Sequence, residues 1–262
     1  MQYHKGVINE ALILASGLGT RLSDFIKSPK FALKLSKYPL IYYPILTLTS
    51  VGVTEFTIII AEKYYDVARK LLDSLSDKID ISINLVLNKY PERDNGYSFL
   101  IASKHINSEY FYTSMSDHIY TRLIPMKLVG SLDKSIKYDV IAGVDSNPRY
   151  INLDEATKVA TSNDKVIRFG KDLLEYQYVD IGVFITSSNL INYVSDLKDL
   201  KKLTFSQLLN TAIERGAHIL YTDINGLPWT EIDTVDDLNQ VLNGDRRTVL
   251  DVVLNEVRDL WR

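Results

Sequence analysis

Short apolar runs alternate with amphipathic stretches along the first half of the chain. The runs are rich in Ile, Val and Leu and are bounded by turns, which is typical of strands that are covered on both faces. Strands that alternate with helices predict an α/β fold with a mixed, mainly parallel sheet flanked by helices. The predicted strands are Ala11–Ala15, Glu55–Ala61, Ile79–Leu87 and Tyr110–Met115. The predicted helices are Pro39–Val51, Tyr64–Ser76 (with Val67, Leu71, Leu72 and Leu75 on one face) and Gly96–Ile106.

The pattern changes near Tyr138, where strand signals follow one another with short connections. Asn163-Asp164 separates two of these runs and predicts a hairpin. No Pro/Gly/Ser linker, low-complexity tract or repeat interrupts the chain, so we predict one domain with a β-rich insertion in its second half. The predicted strands are Tyr138–Val144, Thr157–Ser162, Lys165–Phe169 and Val179–Thr186, and the predicted helices are Ser188–Leu200 and Thr204–Arg215.

The last segment, Thr248–Arg262, has apolar residues at helical spacing. They are Val249, Val253, Val257, Leu260 and Trp261. This pattern predicts an amphipathic helix. We expect it to pack against its own domain, with a dimer contact as the second interpretation and a membrane-surface helix as the third.

The composition narrows the classes of function. The 262 residues carry a formal net charge of −3, which argues against a general nucleic-acid binder. The absence of cysteine excludes disulfide scaffolds, Cys-ligated zinc, iron–sulfur clusters and a thiol nucleophile. The apolar runs are far shorter than the ~20 residues of a membrane span, and the start of the chain is not typical of a signal peptide. We therefore expect a cytoplasmic enzyme or binding protein.

A glycine-rich segment follows the first predicted strand and precedes the pair Pro29-Lys30. Its sequence is Leu14-Ala15-Ser16-Gly17-Leu18-Gly19-Thr20-Arg21-Leu22. Glycines at the end of a strand let backbone N–H groups approach a polyphosphate, and Arg21 and Lys30 would neutralise its charge. A Rossmann dinucleotide site would need a third glycine at Leu22, and a Walker loop would need Gly-Lys-Ser/Thr. The segment predicts a phosphate site of another kind, while the glycines alone are equally typical of a tight turn.

Two aspartates are candidates for metal binding. Asp117 follows the predicted strand Tyr110–Met115, at the edge of the sheet where an α/β enzyme would hold Mg²⁺. Asp233 precedes Thr234, which also suits the N-cap of a helix. Taken singly, Asp117 is explained as well by a strand-end turn, and Asp233 by a helix entry. The four histidines show no metal-ligand or triad spacing, and we expect them to be structural.

The strand, the GxGTRL segment and the Pro-Lys pair together resemble the signature of the sugar-phosphate nucleotidyltransferase family, over a range from about Ala11 to about Leu242. Its members join a nucleoside triphosphate to a phosphorylated sugar or alcohol and release pyrophosphate. The resemblance implies one Rossmann-like (GT-A-like) domain over residues 1–262, with a nucleotide half (about 1–137), an acceptor half (about 138–247) and a C-terminal helix (248–262). It implies Mg²⁺ at Asp117 and Asp233, and catalytic roles for Arg21, Lys30 and Lys171. The implied nucleotide-binding residues are Leu14, Ala15, Ser16, Gly17, Gly19, Thr20, Arg21, Lys30, Asn95, Gly96, Tyr97 and Ser98.

Shorter segments narrow the resemblance to a substrate class. Asp94–Leu100 and the triplet Ser116-Asp117-His118 resemble the cytidylyltransferases for inositol 1-phosphate and, less closely, choline phosphate. Segments 155–159, 169–171 and 179–184 agree with the inositol enzymes of heat-loving microbes. The resemblance implies that Lys171 contacts the acceptor phosphate, and that Glu155 and Asp180 hold acceptor hydroxyls. A hairpin turn at Gly170-Lys171 and a solvated acid at Glu155 are the alternatives.

Three functions remain open from the sequence. The first is cytidylyl transfer from CTP to 1L-myo-inositol 1-phosphate, giving CDP-inositol and pyrophosphate. The second is the same chemistry with UTP, dTTP or GTP and a hexose 1-phosphate, or with choline phosphate. The third is a non-catalytic nucleotide sensor, against which the presence of Arg21, Lys30, Asp117 and Asp233 argues. Some inositol enzymes are fused to a membrane-embedded transferase that uses the product. Since this chain ends at Arg262, we expect such a partner to be a separate polypeptide, and a homodimer is a further expectation.

Overall fold

A computed structural model describes residues 8–22, 25–132 and 137–260 of the chain. The strands are β1 (Glu10–Ala15), β2 (Lys34–Leu35), β3 (Tyr38–Pro39), β4 (Glu55–Ala61), β5 (Ser82–Asn88), β6 (Tyr110–Met115), β7 (His118–Tyr120), β8 (Val140–Asp145), β9 (Lys158–Ser162), β10 (Lys165–Gly170), β11 (Tyr178–Ser187), β12 (Ile219–Asp223) and β13 (Trp229–Glu231). The α-helices are α1 (Tyr42–Thr49), α2 (Tyr65–Ser76), α3 (Asp94–Ala102), α4 (Leu123–Gly130), α5 (Ile191–Val194), α6 (Phe205–Glu214), α7 (Val235–Asn243) and α8 (Arg247–Glu256). Short 3₁₀ helices cover Lys30–Ala32, Glu62–Tyr64, Pro91–Arg93, Ser103–His105, Ser188–Leu190, Ser195–Asp199 and Arg258–Leu260.

Nine of the described strands form one mixed sheet, in the order β5-β4-β1-β6-β11-β8-β12-β10-β9. The pairs among β5, β4, β1 and β6 are parallel, as expected where helices connect the strands. β11 runs antiparallel to both β6 and β8 and so joins the two halves of the sheet. The amino end of β11 also pairs with β9. The predicted mixed α/β sheet is confirmed.

The sheet is covered on both faces. Along β1, Ala11, Ile13 and Ala15 belong to the core that contains α1, α2, α7 and α8. Leu12 and Leu14 belong to the opposite core, which contains α3, α5 and α6. Because successive side chains of a strand point to opposite faces, a strand between two helical layers must be apolar throughout, as this run is. The carboxyl ends of β1 and β6 then lie side by side at one edge of the sheet.

The C-terminal helix α8 packs on its own chain, against α1 and β7. The residues that it buries there are Val249, Leu250 and Val253, followed by Val257. The predicted tail also included Trp261 and Arg262, which lie outside the described residues. None of the helices in the described ranges has the length and apolar composition needed to cross a bilayer.

Several predicted elements were wrong in detail. The helix predicted over Pro39–Val51 begins at Tyr42, because Tyr38–Pro39 pairs with β2 as a strand. The helix predicted over Ser188–Leu200 is divided into short 3₁₀ and α segments. On α2, Val67 is 41% exposed, whereas Ala68, Leu72 and Leu75 face the core. A helix turns by about 100° per residue, so Val67 lies beside the buried stripe.

Candidate active site

A cavity of about 910 Å³ opens at the carboxyl edge of β1 and β6. Its wall begins with the segment Leu14–Arg21, which continues from β1, and with Met115–His118, which continues from β6. The opposite wall comes from the second half of the chain, including segment 155–157, segment 168–172 and Asp180. The cavity therefore contains candidate nucleotide-binding and acceptor-binding residues together.

The glycine loop (residues 16–20) leaves space for a ligand at one glycine and closes a turn at the other. A Cβ at Gly17 would meet no atom within 4 Å, so packing does not require a glycine there. Gly19 has φ +62°, and a Cβ there would lie 2.9 Å from Cβ of Lys30. The N–H of Leu22 donates to the carbonyl of Gly19 at 3.0 Å. Gly19 thus permits the left-handed turn that brings Arg21 and Lys30 to the cavity wall.

Lys30 lies between the two predicted metal ligands. Its Nζ donates to Oδ2 of Asp117 at 2.6 Å and to Oδ1 of Asp233. The Lys30 side chain is only 12% exposed. Burial alone would lower the pKa of Lys30, but the two carboxylates outweigh it and hold the pKa above its ordinary value. Burial acts to raise the pKa of Asp117, yet Lys30 and His118 hold it well below its usual range. The centre is therefore charged at neutral pH.

A short β-ribbon explains how two acids so far apart in sequence converge. β7 and β13 pair antiparallel, with His118 opposite Glu231. The N–H of Ile232 donates to the carbonyl of Asp117 at 3.1 Å, which continues the pairing by one residue. Asp117 immediately precedes β7, and Asp233 lies just beyond β13. The register of this ribbon thus sets the distance between the two carboxylates.

Arg21 connects the glycine loop to the acceptor half. Its Nη2 donates to Oδ2 of Asp233 at 2.7 Å, and its Nη1 donates to Oε2 of Glu155. Glu155 precedes β9, so this pair spans the cavity. The Arg21 and Glu155 side chains are 46% and 40% exposed, and an exposed pair of this kind contributes little to stability. Both groups can therefore exchange partners when a charged ligand enters.

Asp233 is fixed by the start of α7. The side chain of Asp237 accepts hydrogen bonds from the N–H of Asp233 at 3.0 Å and of Thr234 at 2.8 Å. Thr234 is the N-cap of the helix, as its sequence suggested, and forms a capping box with Asp237. Arg246 donates to the other oxygen of Asp237 at 2.6 Å. Asp233 is thus both a helix-entry residue and part of the charged centre.

The donor set suits a magnesium ion that arrives with a nucleotide. Within the described ranges, no group of three or more His, Asp or Glu side chains is arranged to hold a metal ion. Asp117 and Asp233 are two carboxylates that face one ammonium group. In phosphoryl-transfer sites Mg²⁺ is typically held by one or two carboxylates, and substrate phosphates and water complete its coordination. The two acids fit that chemistry.

The predicted nucleotide-binding residues of segment 95–98 are only partly exposed to the cavity. Asn95 lies on the wall, and its Oδ1 accepts from the N–H of Phe205 at 2.7 Å. Gly96 packs against α6, where a Cβ would lie 2.5 Å from the carbonyl oxygen of Thr204. The ring of Tyr97 is covered by the guanidinium of Arg93, at 3.7 Å from its centroid. Gly96, Tyr97 and Ser98 are not among the described residues that line the cavity.

Ser98 instead belongs to a buried polar cluster beneath the glycine loop. The hydroxyls of Ser16 and Ser98 share a hydrogen bond of 2.5 Å. Nδ2 of Asn88 donates to both hydroxyls, at 3.3 Å and 3.2 Å. All three residues are buried. The cluster ties the first residue of the loop to the end of β5 and to α3, and Asn88 is a member that the sequence analysis missed.

The predicted acceptor residues belong to the second wall of the cavity. Asp180 accepts from the N–H of Gly182 at 2.9 Å, and burial raises the pKa of Asp180 to about 6. Lys171 lies in the exposed connection after β10, where its carbonyl accepts from Nζ of Lys158 at 2.6 Å. Glu155, Lys171 and Asp180 all line the cavity.

The cavity wall also includes His118, which the sequence analysis expected to be structural. It further includes Trp229 and Glu231, to which the sequence analysis assigned no role. The Nδ1–H of His118 donates to Asp117 at 2.7 Å, and its Nε2 lies 3.5 Å from Oε2 of Glu231. Burial alone would lower the pKa of His118, but hydrogen bonding and charge from Asp117 raise it to about 9. Burial raises the pKa of Glu231 to about 7. Glu231 lies in the run Trp229-Thr230-Glu231, which is too short for periodicity to indicate a strand.

Comparison with known proteins agrees with this geometry. The sequence pattern of the nucleotidyl transferase family matches residues 10–248. The chain is 32% identical over 236 residues to the bifunctional IPC transferase and DIPP synthase of Aquifex aeolicus, covering 89% of this chain and 51% of that protein. It is 32% identical over 244 residues to the glucose-1-phosphate thymidylyltransferase of Mycolicibacterium smegmatis, covering 87% of this chain and 78% of that protein. The inositol-1-phosphate CTP transferase from T. maritima superposes with a TM-score of 0.84 at 25% identity, over 95% of this chain and 98% of that one.

The bifunctional relatives are longer proteins, and the chain spans about half of their length. The family match extends from β1 into α8. It therefore includes the glycine loop, Lys30, Asp117 and Asp233. Sequence, fold and site geometry agree, and the chain belongs to the nucleotidyl transferase family.

Proposed function

We propose that the protein transfers a cytidylyl group from CTP to 1L-myo-inositol 1-phosphate, giving CDP-inositol and pyrophosphate. The observation that carries the proposal is Lys30 held between Asp117 and Asp233, beside a glycine loop that is open to a ligand. This arrangement places cations, acids and the backbone of the glycine loop in one cavity. A phosphate–phosphate displacement needs such groups, because two anions must approach to ~3–3.5 Å.

The reaction is a displacement at phosphorus. A phosphate oxygen of the acceptor forms a bond to the α-phosphorus of CTP, and the bond between the α-phosphorus and the bridging oxygen breaks. The electron pair leaves with pyrophosphate. No Ser, Cys or His nucleophile is needed, so the task of the protein is to position two anions and to stabilise the charge that builds up.

Each predicted residue has a distinct task in this scheme. The glycine loop would receive the triphosphate through its backbone N–H groups, and Arg21 would exchange Glu155 and Asp233 for phosphate oxygens. Lys30 would donate to the α-phosphate while its charge stays fixed by the neighbouring acids. Lys171 would hold the acceptor phosphate from the opposite wall. Asp117 and Asp233 would hold Mg²⁺, which when bound neutralises phosphate oxygens and stabilises the leaving pyrophosphate.

The choice of substrates rests on similarity and on the residues of the second wall. The inositol-1-phosphate CTP transferase from T. maritima matches nearly the whole chain, and the bifunctional IPC transferases match 87–89% of it. The second candidate is a hexose-1-phosphate nucleotidyltransferase, which the similarity to glucose-1-phosphate thymidylyltransferases favours. A separate synthase that consumes the product is also part of the proposal, because the bifunctional relatives combine an IPC transferase with a DIPP synthase.

The test is pyrophosphate release by the purified protein with Mg²⁺. CTP, UTP, dTTP and GTP are each combined with inositol 1-phosphate, glucose 1-phosphate and choline phosphate. We expect kcat/KM to be highest for CTP with inositol 1-phosphate. Equal or better turnover of UTP or dTTP with glucose 1-phosphate would replace the first candidate by the second.

A further inference from the structure

Glu231 is a carboxylate on the cavity wall that the proposed displacement does not use. Its side chain is only 18% exposed and lines the cavity. Among the described residues its contact is an ion pair with Nε2 of His118 at 3.5 Å, which is longer than a normal hydrogen bond. Removing a carboxylate from water without hydrogen-bond donors is unfavourable, so a donor from a ligand would stabilise the bound state.

The neighbours of Glu231 leave it free to face a ligand. His118 is held on its other side by Asp117, and its ring stacks on Trp229 with centroids 6.0 Å apart and planes 8° from parallel. Trp229 is fixed in turn by its Nε1–H, which donates to the buried Asp145 at 2.7 Å. The wall beneath Glu231 is therefore rigid, which is what a site of defined geometry requires.

Asp180 provides a second acid that lines the cavity. One of its oxygens accepts from the N–H of Gly182 at 2.9 Å, which fixes the carboxylate direction. Gly182 has φ +67°, and a Cβ there would lie 2.7 Å from Nε2 of His118. The pairing of β11 with β8 shifts register between Asp180 and Phe184. The close approach of Gly182 places this irregular part of β11 directly against the imidazole of His118, which contacts Glu231. Glu231 and Asp180 thus both lie near the imidazole of His118.

Where no cation lies between them, carboxylates repel the phosphate groups of either substrate, because like charges repel. They suit hydroxyl groups, which donate hydrogen bonds to carboxylate oxygens. We propose that Glu231 is a specificity-determining residue that accepts hydrogen bonds from the hydroxyls of a polyhydroxylated, phosphorylated acceptor, with Asp180 beside it. This inference rests on the proposed function and names the acceptor class that the wall recognises.

The aromatic residues of the cavity argue against a quaternary ammonium acceptor. Recognition of such a group uses open aromatic faces around the cation. The aromatic residues that line the described cavity are Phe31, Phe169, Phe205 and Trp229, and each is at most 3% exposed. One face of Trp229 is covered by His118. A polyol phosphate therefore fits this wall better than choline phosphate does.

The test compares Glu231→Gln with wild type, using inositol 1-phosphate and its monodeoxy analogues as acceptors. Losing a buried charge-assisted hydrogen bond should raise the acceptor KM by about tenfold or more. The kcat, the KM for CTP and the Mg²⁺ requirement should change by less than about threefold. At least one deoxy analogue should be a poor substrate for wild type but no worse than inositol 1-phosphate for the variant. Glu231→Asp should recover part of the affinity, and Glu214→Gln, on the exposed end of α6, is the matched control.

Several results would overturn the inference. One is an unchanged acceptor KM in Glu231→Gln. Another is a variant in which only kcat falls or only the Mg²⁺ requirement changes, which would mean that Glu231 supports His118 and Asp117. If Glu231→Gln does not fold, Glu231→Asp and the deoxy panel with wild type give the same decision. If wild type prefers a hexose 1-phosphate, the proposed function falls, and deoxy-hexose phosphates then test Glu231 separately. Preference for choline phosphate would remove both proposals.

Discussion

Replacing Asp117 by Asn tests the charged centre most directly. The amide has nearly the same shape as the carboxylate but lacks its charge. Two donors point at this side chain, Nζ of Lys30 at 2.6 Å and Nδ1 of His118 at 2.7 Å. An amide offers one oxygen and one NH₂ group, so it satisfies one donor and opposes the other. The change therefore removes a charge and one contact without removing volume.

The size of the effect follows from the burial of the pair. Two unit charges about 4 Å apart interact by about 4 kcal/mol at an effective dielectric constant near 20. Exposures of 12% for Lys30 and 25% for Asp117 place the pair in that range. Loss of one preorganised electrostatic group typically costs 10²–10³ in turnover. We expect kcat to fall by at least about 100-fold, which corresponds to about 2.7 kcal/mol.

The fold should survive this change. The charge of Asp117 attracts Lys30 but repels Asp233, and Lys30 keeps its hydrogen bond to Asp233 in the variant. We expect the free energy of unfolding to fall by only about 1–2 kcal/mol, as for a lost hydrogen bond to a charged group. The measurements are kcat and KM from pyrophosphate release with CTP, and a thermal unfolding curve. Asp80→Asn, at an exposed position away from the cavity, is the control. Turnover within about fivefold of wild type in a folded variant would refute a role for Asp117 in the reaction.

Two further predictions concern the loop and the helix that hold the site. Gly19→Ala should lower the free energy of unfolding by about 1–2 kcal/mol, because φ is +62°, and should lower kcat/KM, because the new Cβ displaces Lys30. The control is Gly52→Ala (φ +105°, outside the cavity), which should lose stability but keep activity. Equal losses of kcat/KM in the two variants would contradict this prediction. Burial acts to raise the pKa of Asp237, but hydrogen bonds from Thr234 and the backbone and the charge of Arg246 lower it by more. The stability that Asp237 contributes is therefore present above about pH 4 and is lost as the pH falls through the lowered pKa. The measurement is the free energy of unfolding as a function of pH. Below about pH 4 it should fall less steeply for Asp237→Asn than for wild type.

Local sequence patterns were sufficient to predict one half of the site. The run Ala11–Ala15 is apolar at every position, so a strand between two helical layers was the natural interpretation. The glycine loop follows this strand directly, and Asp117 follows β6 in the same way. Because adjacent parallel strands end at the same edge of a sheet, both features could be placed at one edge from the sequence alone.

The rest of the site was harder to predict because its elements are short or its contacts are distant in sequence. β7 and β13 have three residues each, which is below the length at which periodicity distinguishes a strand from a loop. β12 was missed as well, since its partners β8 and β10 are not its neighbours in sequence. Asn88 ends β5, a strand that is predicted from its apolar residues. Its partners Ser16 and Ser98 lie in two other elements, so no local pattern indicates the contact.

The ribbon of β7 and β13 is the element on which the site depends most. It is a pairing between residues separated by more than 100 positions, so no local signal specifies its register. A slip of one residue would reverse the faces of His118 and Glu231 and move Asp233 away from Lys30. The register is held by the capping box of α7, which fixes the backbone of Asp233, and by the buried Trp229, which is anchored to Asp145. Groups outside the cavity therefore set the carboxylate spacing, so a substitution at Asp145 or Asp237 should lower activity without touching either substrate.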